Sequence, residues 1–199
     1  LLDKKIPVAA GIGGGSADAA AALRLLARLN GIALDDARLV AAALAIGADV
    51  PVCLESRARF MRGIGEKLSP PLTLPALPAV LVNPGLPLST REVFAKYSLT
   101  PRAAESRNDV PADANALIDY LVRQSNDLTK AAIACVPAIA TVLDALRALP
   151  GVRLARMSGS GPTCFALFGS REQAHAAAQR LKAARQDWWI APANFASML

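Results

Sequence analysis

The sequence predicts an α+β protein with two domains. Its 199 residues are 53% hydrophobic and 19% charged, which is enough apolar material for a folded core. Four prolines between residues 70 and 78 form the best candidate for a linker. After this linker, the order strand, helices, strand, strand, helix, strand predicts a split β-α-β sheet with additional helices. We therefore divide the chain into domains at residues 1–72 and 73–199.

Composition excludes several classes of protein. No apolar run reaches the roughly 20 residues of a membrane span, because Arg24, Arg28 and the Asp35-Asp36 pair interrupt the best candidate. No signal-peptide pattern is present, and we expect a cytoplasmic protein. The net charge of +6 is scattered along the chain without aromatic interleaving, which argues against nucleic acid and fits a nucleotide or a diphosphate substrate.

The cysteines and the single histidine do not indicate a metal site. Cys53, Cys135 and Cys164 are odd in number, widely spaced and embedded in apolar segments, so we expect reduced core thiols. His175 lies in an Ala-rich helix without cysteine or acidic partners at the spacing of metal ligands.

The first element is a glycine-rich loop that leads directly into a helix. Its residues are Pro7, Val8, Ala9, Ala10, Gly11, Ile12, Gly13, Gly14, Gly15, Ser16 and Ala17. Glycines allow positive φ and close approach of the backbone, and the helix presents unpaired amides at the same place. Together they predict a site for an anion such as phosphate. The loop lacks the lysine of a Walker motif and the third glycine of a dinucleotide fingerprint, and the plain alternative is a flexible turn.

Residues 1–7 are expected to end a strand that enters this loop. We expect a first helix from about Ser16 to Asn30, with Ser16 as its N-cap and an apolar face of Leu23, Leu26 and Leu29. A second helix is expected from Asp36 to Ile46, followed by short strands at 52–54, 59–62 and 66–68.

Asp49 lies between Gly47 and Pro51, where the second helix ends. Proline disfavours the helical conformation at the residue before it, so we expect a sharp junction between helix and strand. Apolar neighbours on both sides would leave this carboxylate partly desolvated. The plain alternative is a turn aspartate that caps nearby amides.

The second domain begins with an expected strand at 79–82. Ser89 and Glu92 have the spacing of a capping box, which predicts a helix to about Tyr97. Thr90 and Phe94 lie one turn apart on this helix, and the pattern alone makes Phe94 a core residue. Further helices are expected at 112–123, 127–135, 137–149 and 170–184, and strands at 152–157, 164–168 and 188–191.

Two polar segments of this domain have alternative interpretations. Ser158, Gly159, Ser160 and Gly161 lie between two expected strands, where a simple hairpin turn would also fit. Asn126 is interpreted first as a helix cap and only secondarily as a site residue.

These motifs resemble those of a known family. The segment Pro-x-x-x-Gly-Ile-Gly-Gly-Gly-Ser-x-Asp-Ala from Pro7 to Ala19 is similar to the phosphate-binding motif of the GHMP small-metabolite kinases. The triple glycine makes it most similar to the branch that phosphorylates a cytidine-diphosphate-linked methylerythritol. The later segments at 47–51, 88–94 and 157–163 agree with that branch, although Thr129 stands where glutamate is common.

The resemblance implies a two-domain GHMP-kinase fold. Its first domain would be ribosomal-protein-S5-domain-2-like, and its second would be a ferredoxin-like α/β domain. The family has a substantial stretch before the glycine loop, so we expect the first domain to be N-terminally incomplete here. The implied partners are small molecules only, with no nucleic acid and no membrane, and the protein would be a monomer or a homodimer.

The resemblance also implies a reaction and its residues. ATP, with Mg²⁺, would phosphorylate the 2-hydroxyl of the cytidyl substrate in the non-mevalonate route to isoprenoid precursors. Residues 7–17 would bind ATP phosphates, with Ser16 a possible metal contact, and Asp49 would contact the substrate and accept its hydroxyl proton. Thr90 and Phe94 would line the cytidine pocket, and residues 158–161 would close the site. The roles of Asp18 and Asn126 stay open.

Two alternatives remain within the same superfamily. A kinase of the homoserine or mevalonate type would keep both glycine-rich loops but would not need Thr90 and Phe94. A catalytically inactive fragment of such a kinase would keep every motif.

Overall fold

The computed structural model of the protein describes residues 3–8, 10–98 and 110–195. They form two compact units. The large unit contains the described residues of Leu1–Ile12 and Pro75–Ala196, and the small unit contains those of Gly13–Leu74. The described residues among 1–12 thus group with the C-terminal part of the chain, whereas we placed residues 1–12 in the first domain on sequence grounds. The domain division at 72/73 stays a prediction.

The small unit consists of three helices and one hairpin. They are α1 (Gly14–Leu29), α2 (Ala37–Ile46), α3 (Val50–Glu55), β1 (Met61–Arg62) and β2 (Lys67–Leu68), and the two strands pair in antiparallel fashion. The helices enclose a small core of Ala20, Ala27, Leu39, Ala43, Val50 and Leu54. Small side chains on α1 allow α2 and α3 to approach its backbone closely.

Helix α1 differs from the sequence prediction in its start and in its buried face. It begins at Gly14, two residues early, and its N-cap is Gly13 in the left-handed region with φ of 69°. Ser16 is therefore inside the first turn and is not the cap. Leu26 and Leu29 are 56% and 81% exposed, because the face that packs is the one with Ala20 and Ala27.

Two strands predicted in the N-terminal part of the chain are absent from the described residues. Residues 52–54 belong to helix α3, where Pro51 occupies one of the first two positions. Proline is tolerated there because the amide that it lacks would have no intrahelical acceptor. Residues 3–8 form no strand in the described segment.

The large unit contains a four-stranded antiparallel sheet. Its strands are β3 (Leu77–Asn83), β4 (Val152–Met157), β5 (Cys164–Phe168) and β6 (Trp189–Phe195), in the order β4-β5-β3-β6. The central strand β3 aligns Val80 with Ala166 on one side and with Pro192 on the other. This order is that of a ferredoxin-like sheet, so the predicted topology of the second domain and the α+β class are confirmed.

Five helices accompany this sheet in the part of the chain that the structure describes. They are α4 (Thr90–Lys96), α5 (Ala114–Val122), α6 (Thr129–Cys135), α7 (Ala138–Arg147) and α8 (Arg171–Ala184). Helix α7 contributes Ile139, Val142, Leu143 and Leu146 to the core, and these residues recur at helical spacing on one face. Each large apolar side chain that is buried in this way contributes about 1.5–3 kcal/mol before entropy is counted. None of the helices that the structure describes is long and apolar enough to cross a membrane.

The helix caps of the large unit agree in part with those predicted from the sequence. Ser170 Oγ accepts a hydrogen bond from Gln173 N at 3.2 Å, and Gln173 Oε1 accepts one from Gly169 N at 3.1 Å. Helix α4 does begin after Ser89, but the Ser89 side chain makes no capping bond. The predicted capping box at Ser89 is therefore wrong in its contacts, although the helix start is right.

Candidate active site

The segment Ser158–Thr163 joins β4 to β5 and forms a tight glycine-rich loop. Ser158 N donates to Thr163 O at 2.9 Å, and Gly161 N donates to Ser158 O at 2.8 Å. Gly159 and Gly161 have φ of 51° and 81°, in the region that favours glycine. A Cβ on Gly161 would lie 2.8 Å from Met157 Sδ. The loop is thus a six-residue connection that is closed by its own backbone hydrogen bonds, and it is not a two-residue hairpin turn.

This loop packs against the first glycine-rich segment within the large unit. Thr163 N donates to Ala10 O at 3.3 Å, and Ser158 Oγ donates to Gly11 O at 3.1 Å. A Cβ on Gly11, whose φ is 70°, would clash with Gly161 O. Only glycine fits at position 11, because both its backbone conformation and its neighbour exclude a side chain.

Three side chains from outside the loop hold it in place. Thr90 Oγ1 and the Ser160 hydroxyl are 2.8 Å apart, and Asn83 Nδ2 donates to Thr163 Oγ1 at 2.9 Å. Asn126 Nδ2 donates to Met157 O at 2.9 Å and to Gly159 O at 2.8 Å. We interpreted Asn126 mainly as a cap and did not identify Asn83 as a site residue. A strand that ends in Asn-Pro-Gly signals a turn, but the sequence does not show that the Asn83 amide is buried.

The two large apolar side chains of helix α4 lie in different environments. Val93 is fully buried in the core of the large unit, whereas Phe94 is 56% exposed. The pattern-based expectation that Phe94 is a core residue is therefore wrong, because the helix is short and only its Val93 side faces the sheet and α6. Thr90 lies one turn before Phe94 on the same helix, with its hydroxyl engaged by Ser160.

The N-terminus of α1 in the small unit presents backbone amides that have no acceptor within the helix. The first intrahelical bond of this turn runs from Ala17 N to Gly13 O, so Gly14, Gly15 and Ser16 have no acceptor within the helix. A Cβ on Gly13, Gly14 or Gly15 would meet no described atom within 4 Å beyond its chain neighbours and its own helix. Of the glycines at 11 and 13–15, positive φ is required only at Gly11 and Gly13. The space beside this helix terminus is open.

Asp49 lies at the start of α3, in the same small unit. It is the N-cap residue with φ of −87°, its side chain makes no capping bond, and it is exposed. The expectation of a partly desolvated carboxylate is wrong, because Val50 turns into the core and leaves Asp49 on the solvent side. The turn-cap alternative is not realised either. Burial raises the pKa of the nearby Cys53 thiol, and the Asp49 charge raises it further, while the Arg24 guanidinium opposes the increase.

The remaining predicted residues divide between the two units. Pro7, Val8, Ala10 and Ile12 belong to the large unit, and Ala17 belongs to the small unit. Val8 and Ala17 are exposed, Pro7 and Ile12 are half-buried, and Ala9 lies outside the described residues. Among the described residues, no group of three or more His, Cys, Asp or Glu side chains could hold a metal ion.

Family models match both parts of the chain. The model described as GHMP kinases N terminal domain matches residues 1–57, and the model described as GHMP kinases C terminal matches residues 112–186. The two models occur in the expected order and include the glycine-rich loop and the β4–β5 loop. These matches define a small-molecule kinase of the GHMP class.

Similarity to individual proteins indicates a particular family within this class. A 4-diphosphocytidyl-2-C-methyl-D-erythritol kinase of Rhodopseudomonas palustris (strain BisB5) is 54% identical over 96% of this chain and 68% of its own length. The kinase of the same name from Bradyrhizobium sp. (strain BTAi1 / ATCC BAA-1182) is 53% identical over 95% and 66%. A crystal structure of 4-(cytidine 5'-diphospho)-2C-methyl-D-erythritol kinase matches with a TM-score of 0.79 and 36% identity, over 100% of this chain and 70% of that one.

The chain thus spans about two thirds of the length of the curated relatives that it matches. The chain belongs to the family of 4-diphosphocytidyl-2-C-methyl-D-erythritol kinases. The resemblance inferred from the motifs is confirmed at the level of both the superfamily and this family.

Proposed function

We propose that the protein transfers the γ-phosphoryl group of ATP to the 2-hydroxyl of 4-diphosphocytidyl-2-C-methyl-D-erythritol, in non-mevalonate isoprenoid precursor synthesis. The observation that carries this proposal is the N-terminus of α1, where a Cβ on Gly14 or Gly15 would meet no described atom within 4 Å beyond its chain neighbours and its own helix. Such bare backbone allows phosphate oxygens to approach amides closely. The identity of the substrate in this proposal is taken from the names of the related kinases.

The ATP phosphates would be bound mainly by backbone groups. In the small unit, the amides of Gly14, Gly15 and Ser16 point out of the α1 terminus, where the helix dipole favours negative charge. In the large unit, the loop of residues 158–161, which lies against Gly11, is our second candidate for phosphate contacts. Because the phosphoryl transfer needs positioning and charge stabilisation more than covalent chemistry, a rigid amide surface is the main requirement.

Mg²⁺ would accompany ATP and neutralise charge that develops on the phosphates. The described residues fit a metal held mostly by phosphate oxygens, because they offer no carboxylate cluster but do place the Ser16 hydroxyl in the first turn of α1. Ser16 is our candidate for the protein oxygen nearest the metal.

The cytidyl end of the substrate would contact α4. Phe94 exposes an aromatic face on which a cytosine ring could stack, and Thr90 is one turn away. An exposed aromatic ring at this position favours a nucleotide-linked substrate over homoserine or mevalonate, which carry no base to stack.

Asp49 would act as the general base. Its carboxylate would accept the proton of the 2-hydroxyl as that oxygen forms a bond to the γ-phosphorus and the bond to ADP breaks. Its exposed position allows a substrate hydroxyl to reach it directly. We place this chemistry in the cytoplasm, where ATP is available and where three free thiols stay reduced.

A substrate panel tests the proposal. The purified protein should consume ATP with 4-diphosphocytidyl-2-C-methyl-D-erythritol as acceptor and not with homoserine or mevalonate. Phosphate transfer to either of the smaller alcohols would support the alternative kinase types. ATP binding without transfer to any acceptor would support the inactive alternative.

The Asp49→Asn variant tests the mechanism. It keeps the shape of the side chain but removes the negative charge, so kcat should fall by about 10²–10⁴ while the dissociation constant for ATP changes little. Single-turnover kinetics and calorimetry on one preparation measure both quantities. Asp36→Asn is the matched control, because Asp36 is also a helix N-cap of the small unit and lies in no proposed site. Equal turnover in the two variants would remove Asp49 from the mechanism.

A further inference from the structure

Asn126 lies in the connection between α5 and α6, and its side chain forms hydrogen bonds both within this connection and to the β4–β5 loop. Its Oδ1 accepts from Leu128 N at 3.0 Å, which shapes the turn before α6. Its Nδ2 donates to Met157 O and to Gly159 O, at 2.9 and 2.8 Å. The amide uses its acceptor locally and both of its donors on the β4–β5 loop, more than 30 residues away along the chain.

The connection that carries Asn126 is itself fixed to the sheet. Arg156, on β4, donates from Nη2 to Leu121 O at 2.7 Å and to Gln124 O at 2.5 Å. These carbonyls lie at the end of α5 and just before Asn126. Burial lowers the pKa of this guanidinium, which reflects the cost of keeping the charge away from water. Because Arg156 holds the backbone on one side of Asn126 and α6 holds it on the other, the amide has little freedom to leave the loop.

The two carbonyls that Asn126 engages lie on either side of Ser158, whose side chain and backbone contact other parts of the site. Ser158 Oγ bonds Gly11 O, and Ser158 O accepts from Gly161 N. Fixing the carbonyls of Met157 and Gly159 sets the peptide plane between Met157 and Ser158 and the one between Gly159 and Ser160. The directions of the amides of Ser158 and Ser160 are thereby determined as well.

We propose that Asn126 is a positioning residue, which holds the β4–β5 loop in the shape that binds phosphate, and this rests on the proposed function. Asn126 itself does not touch the nucleotide. The hydrogen bonds of its side-chain amide preorganise backbone amides that would otherwise have to be ordered when ATP binds.

Two variants separate this role from that of a turn residue. Asn126→Ser keeps an acceptor for Leu128 N, but serine is too short to reach Met157 O and Gly159 O. Asn126→Asp also keeps the acceptor and matches the shape of asparagine, but it places carboxylate oxygens against two carbonyl oxygens. Asp113→Ala is the control, since it removes the N-cap of α5, which accepts from Asn115 N and Ala116 N, without touching the loop.

The experiment measures amide hydrogen exchange in residues 158–163, the dissociation constant for ATP by calorimetry and the melting temperature. Both Asn126 variants should speed exchange in the loop and weaken ATP binding by about tenfold, the effect expected from losing two hydrogen bonds. Asp113→Ala should lower the melting temperature and leave loop exchange and ATP affinity as in the wild type.

Unchanged loop exchange in Asn126→Ser would overturn the proposal, as would faster exchange with unchanged ATP affinity. An effect confined to Asn126→Asp would also overturn it, because added charge alone would then explain the loss. The wild-type protein tests the proposed function separately: if it neither binds ATP nor transfers phosphate, the proposed function is wrong. The positioning role of Asn126 is then rejected as well.

Discussion

Glycines of the same motif have different physical roles. Gly11 has positive φ and lies against the Gly161 carbonyl, so a side chain is excluded by neighbouring backbone. Gly13 has positive φ but open space, and it starts α1 as a left-handed N-cap. Gly14 and Gly15 are helical and face open space. The first two are explained by the fold, whereas we attribute the last two to the proposed phosphate site, because no described atom excludes a side chain there.

We therefore expect Gly11→Ala to affect mainly the stability of the protein and Gly14→Ala to affect mainly its affinity for ATP. Gly11→Ala should lower the free energy of unfolding by about 2 kcal/mol or more, from left-handed strain and the clash with Gly161 O. Gly14→Ala should leave stability equal or slightly higher, since alanine is the better helix former, yet weaken ATP binding about tenfold or more.

Urea unfolding and calorimetry on both variants check this pair. If Gly14→Ala binds ATP as tightly as the wild type, the terminus of α1 is not the phosphate site. If Gly11→Ala is as stable as the wild type, the contact between the two glycine-rich segments does not constrain the fold.

At the scale of elements, α4 connects the core to the proposed substrate surface. The helix has only seven residues, so it presents one buried residue to the sheet and leaves its other apolar ring outside. Its first residue, Thr90, is bonded through Ser160 to the β4–β5 loop. The position of Phe94 therefore depends on both the core contact of Val93 and the loop contact of Thr90.

Phe94→Ala and Val93→Ala form a matched pair on this helix. Phe94→Ala should weaken binding of the cytidyl substrate by about 1–3 kcal/mol through lost stacking, with little change in stability or ATP affinity. Val93→Ala removes a fully buried side chain and should destabilise the protein by roughly 1–3 kcal/mol instead. Calorimetry with each ligand and thermal unfolding distinguish them. A loss of stability in Phe94→Ala without a loss of substrate affinity would contradict the proposed pocket.

For the whole molecule, the two units have cores of very different size. The core of the small unit consists of six buried residues, three of them alanine. The core of the large unit includes Phe168, Trp188, Met157 and many branched aliphatic side chains. Buried apolar area is the main source of stability, so the small unit has far less to resist local opening.

We expect native-state hydrogen exchange to show this difference directly. Amides of α2 should exchange through an opening of lower free energy than amides of β3 and β5, by at least about 1–2 kcal/mol. Added ATP should slow exchange in the first turns of α1. The measurement compares protection factors for peptides from each element with and without nucleotide. Equal protection across both units would show that they open together.

Much of the protein follows from the sequence by itself. Helix starts at Asp36, Ser89 and Ser170, the strand order of the large unit and the family all follow from local patterns. The reason is that caps, glycine spacing and apolar periodicity are short-range signals, and four motifs in order identify a family. The same motifs predicted that residues 10–11 and 158–163 belong to one site.

Other features were decided only by the tertiary structure. Local rules made residues 52–54 a strand, Leu26 and Leu29 core residues and Phe94 a buried ring, and each was wrong. Which face of a helix is buried depends on what packs against it, and α1 buries its alanines because α2 and α3 approach closely there. The bonds of Asn126 to Met157 and Gly159 join segments that are distant in sequence, so no local pattern can show them.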